Sequence, residues 1–200
     1  MNLSDLRDEL SARGFSHLSD DRLDLLINRA RARLDGLHTW SYREDSAQGA
    51  APLSIPTLGI VEAVSNETGG YLLEEMGYAD ILDLTSDLST SGSATYWYRS
   101  TPAGDPVVNT YPDNGDTIGV QFWKVTADLS ADADEPESPP RYHLLIVDMA
   151  QQQAERDRGN FQNAQAIQPE IDRQVNEMVE DLLPQQGPRY MRTTGASEDW

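Results

Sequence analysis

The chain contains no cysteine, a single lysine at Lys124, and few cations of any kind. Without cysteine there are no disulfides, no thiol nucleophile and no thiolate zinc site, so stability is left to packing and assembly. No run of about 18 or more apolar residues occurs, which removes a membrane-spanning helix. The opening Met1-Asn2-Leu3-Ser4-Asp5 lacks the basic and apolar stretches of an export signal. The expectation is a soluble, unexported protein with no membrane partner. What is abundant is acid: 34 Asp and Glu oppose 15 Lys and Arg, for a net charge of −19 and a pI near 4.3. A chain of that sign is poorly suited to gripping duplex phosphates through a basic face. Its 200 residues can bury a sizeable core as one domain, or as a domain carrying an insertion.

The charge is unevenly spread. Residues 1–40 hold seven acids and six bases, 41–140 seventeen and three, and 141–200 ten and six, or −1, −14 and −4. Fourteen of the cations are arginine. Acid excess with little lysine fits a halophilic setting, where salt screens self-repulsion, and fits GC-rich coding equally well.

Apolar periodicity places helices at both ends. A short helix is predicted from Ser4 to about Ala12, with Leu3, Leu6 and Leu10 on one face and Arg13-Gly14 stopping it. A longer one follows Ser19 as N-cap, with Asp20 and Asp21 at its positive end and a stripe of Leu23, Leu26, Ile27, Ala30, Leu34 and Leu37. Arg29, Arg31 and Arg33 read as a solvated face of its C-terminal half. A third helix starts at Pro140 or Arg141 with Tyr142, Leu145, Ile146 and Met149 inward, and Gly159-Asn160 breaks it. A fourth stripe runs through Phe161, Ala164, Ile167, Ile171, Val175, Met178 and Leu182, with Pro169 expected to kink it or begin a new helix, and Pro184 ends it.

The middle reads as β. Residues 41–53 are taken as a polar connection and Ser54 to Val64 as an extended segment broken by Pro56. A three-stranded meander is expected from Ala94–Tyr98, Val107–Tyr111 and Thr117–Thr126, with turns at 101–105 and 112–115. Ile118, Val120 and Phe122 fall on one face of its last strand, and Gln121, Trp123 and Val125 on the other. Glu74 to Leu88 is ambiguous, since Ile81, Leu84 and Leu88 have helical spacing while Gly77 and Thr85 oppose a helix. The resulting architecture is α+β, a helical bundle from both chain ends with an inserted antiparallel β subdomain. Its parts are an N-terminal helical hairpin at 1–45, the β-rich subdomain at 50–127, C-terminal helices at 139–184 and a flexible tail at 185–200.

No chemistry stands out. The paired acids Glu74-Glu75 and Asp80/Asp83 are the nearest approach to a general acid and base, but surface acids usually only solvate. Asp128, Asp132, Asp134, Glu135 and Glu137 offer oxygen ligands for calcium without the central glycine or twelfth-position acid of an EF-hand. They read instead as a soluble loop favouring the positive end of the following helix. His17, His38 and His143 are scattered, Lys124 lies on a strand away from any phosphate loop, and no nucleophile elbow is present. No catalytic residue, metal ligand or cofactor site is assigned. Tyr96, Trp97, Tyr98 and Trp123 could stack on sugars, which makes a glycan- or receptor-binding module the rival reading.

The order of elements carries more. Ser19-Asp20-Asp21-Arg22-Leu23 through Ile27-Asn28-Arg29-Ala30 forms a helix ending shortly before Trp40, and a β-rich middle follows. The acidic stretch from Asp128-Leu129-Ser130-Ala131 to Glu137-Ser138-Pro139-Pro140-Arg141-Tyr142-His143 then leads into a helix, and a last helix lies around Val175, Met178 and Leu182. In this order, over roughly 20–183, the chain resembles the head-to-tail adaptor (connector) proteins of tailed viruses, including the tail tubular proteins of short-tailed phages. The acid excess and a tail without a recognisable docking motif depart from the family pattern.

The resemblance implies a non-enzymatic virion protein at the head–tail junction, present in the host cytoplasm before assembly. It implies a ring of about a dozen copies beneath the portal protein, extending the DNA channel and meeting further neck or tail proteins. Genomic DNA would pass without sequence-specific binding, and a negative wall would keep phosphates from adhering. In related adaptors a terminal extension reaches into the portal. That makes the tail the candidate strap, with Arg189, Tyr190, Met191, Arg192 and Trp200 as interface-type anchors. Ring closure needs two different faces on each subunit, and Trp97 or Trp123 is the expected subunit boundary.

Overall fold

A computed structural model describes residues 1–85, 90–101, 104–113 and 115–183. The turn positions 102, 103 and 114, together with Leu88 and the whole tail segment 185–200, lie outside the described residues.

α1 spans Leu3–Leu10 and starts on a capping box in which the Asn2 side chain accepts from the Asp5 N–H at 2.9 Å while Asp5 accepts from the Asn2 N–H at 3.0 Å. Leu3, Leu6 and Leu10 are all buried. A wider turn, Ser11–Phe15, extends it and contains Gly14 at φ +101°, a conformation open to glycine at little cost. That turn delivers Phe15 into the core. α2 spans Asp20–Asp35, and its Ser19 cap position makes no side-chain capping bond, so Asp20 and Asp21 alone serve the helix's positive end. The stripe from Leu23 to Leu34 is buried as the spacing predicts, whereas Leu37 lies beyond the helix end and is 41% exposed.

α4 spans His143–Asp157 after a 3-10 turn at Pro140–Tyr142, and Gly159 at φ +79° separates it from α5, Phe161–Leu182. α5 is continuous through Pro169, so no new helix begins there. Its first stripe residue, Phe161, is 64% exposed. Buried residues from α1, α2, α4 and α5 share one cluster with Trp40 and Leu129.

The middle differs more. Glu44–Ala50 is a strand, β1, paired over its whole length with β8, Thr117–Lys124. This overturns the polar connection: Glu-Asp-Ser-Ala-Gln-Gly-Ala has no apolar alternation because β1 is an edge strand, held by backbone bonds to β8 more than by burial. β2 is Leu53–Ser54, β3 Leu58–Asn66, β4 Tyr71–Leu72 and β5 Glu74–Glu75. α3, Tyr78–Leu84, resolves the ambiguous segment, with Gly77 and Thr85 at its caps; Ile81 is buried but Leu84 is 60% exposed.

β6, Tyr96–Ser100, and β7, Val107–Tyr111, pair as a hairpin. The meander ends there. β8 leaves β7 and lies between β1 and β3, giving two sheets of order β1-β8-β3-β4 and β2-β7-β6-β5. All pairings are antiparallel except β5 with β6. The reason is burial: Ile118, Val120 and Phe122 present an apolar face, and in a separate sheet that face meets Trp97 and Val108 in one cluster. The fold is α+β, with five α-helices and two sheets among the described residues.

Candidate functional site

The acidic stretch after β8 is tied to the helices by arginine. Arg7 pairs with Asp24 and reaches Asp132 at 2.8 Å, and these bonds raise its pKa. Arg31, 4% exposed on α2, donates to the Ala127 carbonyl and to Asp128 at 2.9 Å. Asn28 clasps Leu129 through both its N–H and its carbonyl, each at 2.9 Å. The Leu3 N–H donates to the Asp134 carbonyl at 2.8 Å, which docks the loop on the start of α1. The Asp134 carboxylate accepts from the Ala131 and Ser130 N–H groups, and these bonds hold its pKa below the ordinary carboxylate value. Glu137 takes Lys124 at 2.6 Å. Four of the five acids of this stretch, Asp128, Asp132, Asp134 and Glu137, are thus engaged in bonds to arginine, lysine and backbone.

The start of the β part is fixed equally firmly. Trp40 is fully buried and donates from Nε1 to the Leu34 carbonyl at 2.7 Å. Tyr42 donates to Asp35 at 2.5 Å, and burial with that carboxylate pushes its pKa far up. Arg43 donates to the Lys124 carbonyl at 3.0 and 2.7 Å and to the Asp35 carbonyl. These bonds join α2, β1 and β8 at one corner.

The remaining candidates fall in separate places. Trp97 is 6% exposed and packs within its own subunit's β core. Trp123 faces outward, half-buried, with its indole N–H shielded from solvent yet unpartnered among the described residues. Arg189, Tyr190, Met191, Arg192 and Trp200 lie outside the described residues. Glu74 and Glu75 are exposed neighbours on a strand, so their carboxyls diverge. Asp80 and Asp83 are exposed on α3. His17 lies against Arg158, His38 is edge-on to Trp40 at 4.9 Å, and buried His143 bonds Met1 at 3.0 Å and the Ser138 carbonyl at 2.8 Å. Among the described residues no group of three or more His, Asp or Glu is placed to hold a metal.

Two surfaces went unread in the sequence. A groove of about 760 Å³ opens between α4 and α5, lined by charged pairs including Arg141–Asp181 at 3.0 Å. Within it Arg173 and Gln174 hold Glu170 down to about 2. The second is the outer face of the β1-β8-β3-β4 sheet, where hollows of about 390 and 260 Å³ share Ser46 and Gln121 and are flanked by Glu44, Asp45, Glu62 and Glu67. The only available signal was the local −14 charge; which acids share a face depends on strand order.

Compared with known families, the chain matches the model described as SU10 adaptor protein over residues 1–197. The chain belongs to the SU10 adaptor protein family. This is a family of structural phage head–tail adaptors. No curated protein matches the chain. Family membership sets a frame for these surfaces: an adaptor works by contacts, and its working parts are exposed faces.

Proposed function

We propose that this SU10-family adaptor forms a closed ring beneath the portal, carries no catalytic activity, extends the DNA channel and offers a platform to the next neck or tail component. The observation that carries the reading is the family match over residues 1–197, nearly the whole chain. In this reading the helices of both ends work as one bundle, with 1–45 and 139–184 as its halves and 50–127 as the inserted β subdomain. The arginine-tied loop after β8 transmits position between them. Segment 185–200 serves as the strap into the portal through Arg189, Tyr190, Met191, Arg192 and Trp200, and Trp123 stands at the subunit boundary. The protein waits in the host cytoplasm until the portal is available.

The rival reading, a glycan- or receptor-binding module, rests on Tyr78, 49% exposed, with its ring 5.5 Å from that of Tyr98. Co-sedimentation with purified portal separates the two. The full chain should travel with the portal, and a chain ending at Leu183 should melt at the same temperature but remain at the top of the gradient. Retained portal binding by the shortened chain would remove the strap. Failure of the full chain together with binding to a glycan array would favour the rival.

A further inference from the structure

Among the described residues, the cations of this acidic chain are nearly all engaged internally. Among the described residues, Arg29 on α2 and Arg156 on α4 are the two with neither an ion pair nor a hydrogen bond, and both are exposed. They share a surface. Arg22 reaches Asp157 at 2.5 Å and Arg33 reaches Gln152 at 3.0 Å, so the α2 face bearing residues 22, 29 and 33 lies along α4 over 152–157. Arg33 is bound there only to a neutral amide. Leu25, one turn from Arg29 and 39% exposed, adds an apolar contact to this cationic face.

The opposite character appears on the outer face of the β1-β8-β3-β4 sheet. Glu44 and Glu67 are exposed and have no cationic partner among the described residues. Ile60, 58% exposed and opposite Trp123 in the ladder, adds an apolar contact. Among the described residues, β1 also has no strand partner on its outer edge. Each face therefore combines unneutralised charge with an exposed aliphatic side chain, and the signs are opposite.

We propose that these two faces meet between copies, the α2/α4 arginine face of one subunit seating on the acidic outer sheet of the next. This rests on the ring reading above. Subunits of net charge −19 repel one another, so a contact that aims the unpartnered arginines at acids without a cationic partner is the one electrostatics favours. Because the faces differ, the contact is heterologous and repeats head to tail, as closure requires. Exposed ion pairs add little energy singly, so the charges select orientation while Leu25, Ile60 and Trp123 supply burial.

Charge reversal tests this with a signature specific to head-to-tail pairing. A helix-face variant (Arg29→Glu with Arg156→Glu) and a sheet-face variant (Glu44→Arg with Glu67→Arg) change exposed positions and should melt like the parent chain. Each alone should form portal-bound rings at least roughly tenfold less well by native mass spectrometry. Mixed in equal amounts they should recover rings in which the two variants alternate, since each contact then joins opposite charges. Normal rings from both single variants, or no recovery on mixing, would overturn the pairing while leaving the ring intact as an idea. A helix-face variant that forms rings but loses the portal would make that face a portal-docking surface and equally overturn it. Absence of rings from the parent chain would remove the ring reading itself, and this inference with it.

Discussion

Three arginines on α2 illustrate what a residue's neighbours add to its identity. Arg29, Arg31 and Arg33 look alike in the sequence, as cations in the second half of one helix. Arg31 is buried and holds the loop after β8, Arg33 meets a glutamine, and Arg29 makes neither an ion pair nor a hydrogen bond among the described residues. Arg31→Met should therefore cost about 1–3 kcal/mol in urea unfolding, because it strands the Ala127 carbonyl, whereas Arg29→Met should stay within about 0.5 kcal/mol. Equal effects would mean that the loop is not held by Arg31. Asp134 makes a pH-dependent prediction. Its folded pKa is depressed below 3.8, so its contribution is present above that value and fades as pH falls through the lower folded value. Amide exchange at Ser130 and Ala131 should accelerate over that interval, and Asp134→Asn should abolish the pH-dependent step.

Among the elements, Trp97 and Trp123 carry opposite predictions. Trp97→Ala should cost about 3–5 kcal/mol, since it empties a position in the β cluster. Trp123→Asp should leave the melting transition nearly in place while reducing ring formation on the portal. A loss of fold from Trp123→Asp comparable to that from Trp97→Ala would return Trp123 to the subunit's own packing. The helices of the two chain ends were legible because each carries a stripe that needs no distant partner to be recognised, as Leu23 to Leu34 and Leu145 to Met149 show, whereas α3 buries only Ile81 and stayed ambiguous. The alternation in Ile118, Val120 and Phe122 was legible for the same reason. Strand pairing was not: β8 follows β7 closely, yet bonds β1 and β3, and periodicity carries no information on partners so far apart. β1 escaped notice because its register is set by β8 and not by its own apolar residues. The exposed acidic trough became visible only once β1, β3 and β8 stood side by side.

At the scale of the molecule, charge and architecture point the same way. The helical parts spend most of their arginines on internal pairs, among them Arg13–Asp148, Arg22–Asp157 and Arg31–Asp128. The β part leaves acids on its surface. A surface of that sign opposes indiscriminate self-association and non-specific DNA binding, which agrees with the proposed ring around a duplex in transit. The proposed role depends on a repeated contact between copies. The most direct test is electron microscopy of purified portal incubated with the full-length chain. The account predicts one closed ring of about a dozen copies stacked coaxially on each portal, with a continuous central channel. Portals that remain bare, or that carry scattered single copies without a ring, would contradict it.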